Sequence, residues 1–459
     1  MIESNNLSLV FLIVVAILFP IFNLLDIYTY FEFLIMSILI RSILAYLSPK
    51  RHSKVIFNFL NLAQGIYIVL IIIMWNYANN DLGILDISKL LGDSQKYYLE
   101  SIIMSEAEGK SFLELGELSN INYFLFQYIL SKIIFLFKSK YLAALMFVMF
   151  TGLINLLLLF KIGILLKFNK QTMQTIGVFY ILFPHILSSN IILLKDSLIT
   201  FSLLLLVYAA ISFREKQNKI YKFAIYILIS FFLITFLRLP FLIMFILILY
   251  FIYVKKSTSY SYIFLFLSVS SFLAYSIFYT QLSEIYEMGK LITENIANSE
   301  VHGSGFANIL VGTYLSDPIY LKIIKLPLVV IVQYLTPFNV HQFYHFNPWS
   351  YIDVNMKIVW LVFFGPLFIF SSIQMRHLNY LIKKILLVSV VGYIFIAYME
   401  TGIVPRYALL FMCLSILPMA YIFQETKDNI ILKRKYISFK NVYFFFSFSL
   451  AFFYIILKL

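Results

Sequence analysis

Long apolar runs recur from residue 8 to residue 458, and the charges stand in the short segments between them. About 20 apolar residues are what a helix needs to cross a hydrocarbon core of ~30 Å. In lipid the backbone must satisfy its own hydrogen bonds, which a helix does within a single segment. With 62% hydrophobic and 12% charged residues, the 459-residue chain also lacks the polar surface that a soluble globule needs. The pattern predicts an all-α, polytopic integral membrane helix bundle. No soluble-looking block exceeds about 80 residues, so residues 1–459 read as a single integral membrane domain. Two longer loops interrupt it, at 78–140 and 280–356. The first run, Leu7–Leu25, has no basic n-region and no small-residue cleavage site, and reads as a retained span. The single Cys413, inside an apolar run, excludes disulfides and thiolate metal clusters and reads as a small hydrophobic filler.

Spans are predicted at 8–25, 29–47, 56–77, 141–166, 171–193, 196–213, 223–237, 239–254, 261–279, 357–373, 384–399, 407–423 and 442–458. That makes thirteen, within a range of about 11–14. Six connecting segments hold most of the basic charge, among them Lys50/Arg51/Lys54, Lys167/Lys170, Arg214/Lys216/Lys219/Lys222 and a late segment with Lys433, Arg434, Lys435 and Lys440. By the positive-inside rule these are cytoplasmic. The net charge of +13 is thereby placed in inner loops, which removes the case for nucleic acid. Residues 78–120 hold eight Asp/Glu against three Lys and belong outside. This alternation requires the aromatic stretch Tyr123–Phe137 to lie along the membrane surface as an interfacial helix. The N-terminus is then inside and the C-terminus outside.

On this topology Lys195 and Asp196, set in "FPHILSSNIILLKDSLITF", fall at the tip of a helical hairpin on the outer face. Arg238 in "LRLP" and Arg406, beside Tyr407 in "METGIVPRYALL", stand at two further tips on the same face. Taken singly, such cations snorkel to lipid phosphates, and Asp196 can neutralise its neighbour or cap the next helix. Taken together, three cationic tips on one face suit a phosphate or pyrophosphate, with Arg offering a planar fork and Lys a point charge.

The first outer loop contains "GDSQKYYLESI", where Asp93 follows a glycine and opens a helical stretch. Tyr97, Leu99, Ile102 and Ile103 are expected on its apolar face, with Glu100 and Glu106 partly opposed. Asp93 fits a helix N-cap. A carboxylate there can also take a proton from a sugar hydroxyl, as a general base.

These motifs, with "NYFLFQYIL", "LMFVMFTGLINLLLLFKIGILL" and "FLRLPF", resemble in order over residues 80–423 the polytopic bacterial glycosyltransferases of the GT-C type. They also resemble Wzy-like O-antigen repeat-unit polymerases, which are likewise rich in Phe, Ile, Leu and Tyr. The resemblance implies a polyprenyl-(pyro)phosphate-linked sugar or oligosaccharide donor, a glycan acceptor and action on the outer face of the bacterial inner (cytoplasmic) membrane. It implies Asp93 as the catalytic base and Lys195, Arg238 and Arg406 as phosphate holders. Partners would be other polysaccharide-assembly membrane proteins. Two spans precede the one leading into the Asp93 loop, where the simplest GT-C plan has fewer.

In the second outer loop, His341, His345, Trp349 and Tyr351 can stack on or hydrogen-bond sugar rings, or form an ordinary aromatic belt. His185 reads as a core histidine. No cofactor is demanded, since no paired acidic motif or His-acid spacing requires a metal, although Glu100 or Asp353 can assist a divalent ion. The competing class is a lipid-linked oligosaccharide flippase or other polytopic transporter, for which broken helices near the midplane would speak.

Overall fold

The computed structural model describes residues 27–78, 85–86, 92–107, 124–137, 140–215, 219–238, 241–253, 358–399 and 405–456, and every extended element among them is a helix. In chain order they are α1 (Ile27–Leu47), α2 (Ser53–Ala78), α3 (Gly92–Glu106), α4 (Leu125–Leu136) and α5 (Lys140–Leu165). Next come α6 (Lys170–Leu182), α7 (Pro184–Ile191), α8 (Asp196–Arg214), α9 (Ile220–Leu237) and α10 (Leu242–Tyr253). A π-helical turn at Trp360–Phe364 leads into α11 (Gly365–Ile373), followed by α12 (Tyr380–Met399), α13 (Pro405–Asp428) and α14 (Ile430–Ile456). The expected spans 8–25 and 261–279 and the loop 280–356 lie outside the described residues.

Four of the described helices, α2, α5, α8 and α9, are long and apolar enough to cross a membrane. Helices apolar all round belong inside a bundle. Accordingly α5 and α8 form its centre, α5 touching α1, α2, α4, α6, α7 and α8. Helix α9 is as apolar but mostly exposed, which suits a lipid-facing position. Helix α4 has 12 residues, about 18 Å at 1.5 Å per residue, and is too short to cross. It packs on α3 and α5.

Local chemistry explains where the helices stop. Phe183 is extended ahead of Pro184, which splits the expected span 171–193 into α6 and α7. At the end of α5, Lys167 turns left-handed with φ 61°. Phe168 then donates to the Gly163 carbonyl (3.0 Å) and Lys167 to the Ile164 carbonyl (3.0 Å), the Schellman pattern. Asn169 immediately caps α6, its Oδ1 accepting from the Thr172 amide at 2.8 Å.

One expectation is corrected. The basic segment before the last span is not a loop: α13 runs to Asp428, and α14 starts at Ile430 with Lys433, Arg434, Lys435 and Lys440 inside it. Lys and Arg are good helix formers. Asn429 caps α14 by accepting from the amides of Ile431 (3.0 Å) and Leu432 (3.2 Å).

A buried polar knot ties the centre together. Asn190 Nδ2 donates to the hydroxyls of Tyr67 (3.1 Å) and Tyr180 (3.3 Å), and the Tyr180 hydroxyl donates to the Gly152 carbonyl at 2.6 Å. It joins α2, α5, α6 and α7 in a region where an unpaired polar group costs ~1–3 kcal/mol. A Cβ at Gly152 would collide with the Asn190 side chain. Gly152→Ala is therefore expected to lower stability by ~2 kcal/mol or more, read as a lower unfolding midpoint in detergent. Lys167→Gly should raise it by ~0.5–1 kcal/mol by relieving the left-handed residue.

Candidate functional site

Helix α8 begins at the Lys195–Asp196 pair, and α3 lies over that beginning. Between α7 and α8 the chain tightens into a three-residue turn, Leu194 donating to the Ile192 carbonyl at 2.7 Å. Lys195 then accepts the first helical bonds, from the amides of Leu198 and Ile199, both at 3.0 Å. Asp196 stands in the first turn, where the helix dipole favours a carboxylate. Ser197, next along, donates to the Val148 carbonyl at 3.4 Å, and its own carbonyl accepts from Asn155 Nδ2 at 2.9 Å. These bonds fix the start of α8 against α5.

Neither member of the pair is an exposed tip: Lys195 is 8% exposed and Asp196 3%. The cover is α3. Ser94 donates to the Leu193 carbonyl at 3.1 Å, and the Lys195 ammonium lies 5.8 Å from the centre of the Tyr97 ring, within cation–π range. The two segments are 99 residues apart in sequence. Asp93, whose side chain lies outside the described residues, is the residue before Ser94 in the first turn of α3. Its backbone therefore sits next to the Leu193–Lys195 turn.

Helix α3 is held from two further sides. Tyr97 meets Phe126 of α4 edge-to-face at 5.3 Å, and Tyr98 meets Tyr141 of α5 at 5.2 Å. Gln127 Nε2, on α4, donates to Glu100 Oε2 at 3.1 Å, while Gln127 Oε1 is buried with no hydrogen-bond partner. Burial pushes the Tyr98 phenol up to about 12, so it stays protonated at neutral pH. The buried stripe of α3 is Ser94, Tyr97, Tyr98, Ser101 and Met104. This corrects the expected apolar face, because Leu99 and Ile103, one turn apart, point outward together. Small serines at helical spacing beside two tyrosines were the overlooked signal. A serine can bury its hydroxyl by bonding backbone, as Ser101 does to the Tyr97 carbonyl at 2.6 Å.

The other cationic turns reach the same end of the bundle. Helices α8 and α9 touch along their length and are joined through 215–219, so Lys195 and Arg238 occupy their far ends. Arg238 ends α9, its amide donating to the Ile234 carbonyl at 2.8 Å and its guanidinium 5.3 Å from the Phe241 ring centre. It is half-buried, and α9 touches α4, which carries α3. Helix α12 starts beside the opposite end of α8, where the Arg214 guanidinium lies 4.9 Å from the Tyr380 ring centre. Helix α12 packs along α13, whose last turns meet the start of α6, Gln424 Nε2 donating to Gln171 Oε1 at 2.9 Å and Tyr421 stacking on Phe168 at 5.8 Å, so the 24-residue α13 begins at Pro405 toward the Lys195 end. Arg406 and Tyr407 are in the first turn of α13, with side chains outside the described residues; His345 lies wholly outside them. Among the described residues no cluster of His, Cys, Asp or Glu could hold a metal ion.

The chain matches no protein-family model, and comparison with curated proteins and with solved structures finds nothing similar to it.

The cover over Lys195 can be measured directly. Removing the Tyr97 ring costs ~1–2 kcal/mol of cation–π contact, so Tyr97→Ala should raise amine-reactive labelling of Lys195 about tenfold by raising the open population. Labelling at the wild-type rate, read by peptide mass spectrometry, would show that α3 does not shield the ammonium.

Proposed function

We propose that the chain is a polytopic glycosyltransferase of the bacterial cytoplasmic membrane, with thirteen spans and the Lys195 end on the outer face. Its donor is a sugar or oligosaccharide linked to a polyprenyl phosphate or pyrophosphate. Wzy-like polymerisation of surface polysaccharide repeat units is the specific reading. The observation that carries it is the Ser94–Leu193 bond, which lays the first turn of α3, with Asp93, beside Lys195. The candidate base and a candidate phosphate holder, far apart in sequence, thus meet at one end of the bundle, the end that also receives the Arg238 and Arg406 turns.

In this mechanism an acceptor hydroxyl attacks the anomeric carbon of the donor as the bond from that carbon to the phosphate oxygen breaks. Asp93 takes the hydroxyl proton. The charge left on the departing phosphate is met by Lys195, Arg238 and Arg406, preplaced where it develops. Asp196, beside Lys195 in the first turn of α8, orients the ammonium. Because α3 covers the pair, the donor phosphate reaches Lys195 only when α3 lifts, and α3 serves as a lid that excludes water on closing.

The test is product formation from polyprenyl-pyrophosphate-linked oligosaccharide by the purified protein in lipid nanodiscs. Asp93→Asn should lower turnover by about 100-fold or more, with Arg238→Ala and Arg406→Ala each lowering it further than they raise KM. Normal product from all three variants would sink the mechanism. The broken helix at Phe183–Pro184 is the observation that favours a transporter instead. A single cysteine at position 238 in a Cys413→Ser background separates the two: labelling from both sides of the membrane favours the transporter, and labelling from one side favours the enzyme.

A further inference from the structure

Helix α14 carries charge and apolar surface in a fixed order along one face. Leu432, Tyr443 and Ser447 are buried, and Tyr436 and Phe439 pack on Phe370 of α11 with ring centres 5.0 and 5.7 Å away. Away from this inner face run two strips, Arg434–Asn441–Phe445 and Lys435–Val442–Phe446. Their i, i+7, i+11 spacing returns to within about 20° of one line at 3.6 residues per turn, so each strip is a single face of the helix. All six side chains are exposed, Val442 by 67%, Phe445 by 77% and Phe446 by 58%. Ser438 and Asn441, also exposed, stand between the cations and the apolar residues.

This order is that of one bilayer leaflet: cations, then small polar groups, then apolar side chains. From Lys435 to Val442 the helix rises about 10 Å. That is comparable to the headgroup layer, about 5–8 Å thick on each side of the core and crossed obliquely by a tilted helix. The ends of neighbouring helices agree. Helix α13 closes on α6 through Gln424 and Gln171 just before α14 starts, and α11 finishes at the same end, one short turn before Tyr380 meets Arg214. Contacts inside the protein do not account for the cations. Among the described residues Lys433, Arg434 and Lys435 make no ion pair and no ring contact. They stand in the first two turns of α14, the positive end of its dipole, where a cation gains nothing from the helix. The acids nearest in sequence are Glu425, bonded to Tyr421, and Asp428 at the end of α13. Juxtamembrane cations in such a cluster attract anionic headgroups, Arg offering a fork and Lys a point charge to the phosphate.

We propose that the outward face of α14 binds an anionic phospholipid, its headgroup phosphate on Arg434 and Lys435 and an acyl chain along Val442, Phe445 and Phe446. Cation and apolar surface lie on the same strips, so one lipid molecule meets both. The site is separate from the Lys195 end and does not depend on the glycosyltransferase reading.

The experiment titrates the purified full-length protein in a neutral detergent with phosphatidylglycerol or phosphatidylcholine, and reads the tightest-bound lipid by native mass spectrometry. Phosphatidylglycerol should bind more tightly than phosphatidylcholine, and Arg434→Gln/Lys435→Gln should weaken it about tenfold. Arg434→Lys/Lys435→Arg, which keeps both charges, should retain most of the binding and so separates loss of the site from loss of the fold. Phe445→Ala/Phe446→Ala should weaken both lipids. Lys50→Gln/Lys54→Gln removes two exposed cations at the turn from α1 to α2 and should leave binding unchanged. Equal affinity for the two lipids, unaltered binding by the Gln/Gln or Ala/Ala variant of α14, or an equal loss in the Lys50/Lys54 control would overturn the proposal. So would inorganic phosphate displacing the lipid at the lipid's own affinity, which would mark a free-anion site.

Discussion

The structure depends on one constraint: in a nonpolar surrounding, a buried polar group left without a partner within the protein is costly. The knot of Asn190, Tyr67, Tyr180 and the Gly152 carbonyl meets that demand by tying four helices at one point. Four apolar surfaces packed on each other could slide with little penalty, because lipid tails and leucine side chains are nearly equivalent contacts. Hydrogen bonds that cannot be replaced remove this freedom. They fix the depth of α7 against α5, and so the height at which the chain turns from α7 into α8.

That height decides where the Lys195–Asp196 pair stands. The three-residue turn at Ile192–Leu194 follows α7 directly, and the bonds from Ser197 and Asn155 lock the start of α8 to α5. The pair then lies under α3 instead of projecting into solvent. Burial changes what the cation can do. An exposed lysine spends its charge on water, whereas one under an aromatic ring and a covering helix meets a phosphate in a medium where the interaction is stronger. The two ends of the bundle differ in this respect: at the Lys195 end the cation is covered, and at the Arg214 end a guanidinium and the Lys384 ammonium stand over the exposed ring of Tyr380.

Particular residues show how far sequence reading reached. The shortness of Leu125–Leu136 and the helix opened by Gly92–Asp93 have local causes and were legible. The break before Pro184 has one too, the steric restriction on the residue before a proline, although the expected span 171–193 runs through it. The buried face of α3 was not legible. Leu99 and Ile103 are the apolar residues a reader assigns to a core, yet Ser94, Tyr97, Tyr98 and Ser101 are the ones buried. The partners that bury them, Leu193, Phe126 and Tyr141, come from three other segments. The basic segment of α14 differs from expectation for another reason: a run of charge reads as a loop, although Lys and Arg extend helices readily once Asn429 has supplied a cap.

By itself, the sequence determined that the chain is helical and suited to a membrane, because hydropathy and charge act over a single segment and need no knowledge of neighbours. It also determined which cations stand at helix ends, since those ends are marked by Pro, Asn and breaks in the apolar runs. Only the tertiary structure decided that α3 covers Lys195, that Asp93 is carried to the same turn, and that Arg214 and Lys384 share one ring. These are contacts between segments far apart along the chain. They arise from how helices of similar apolarity settle against one another, and in lipid that settling is governed by a few buried hydrogen bonds whose pairing no local pattern encodes.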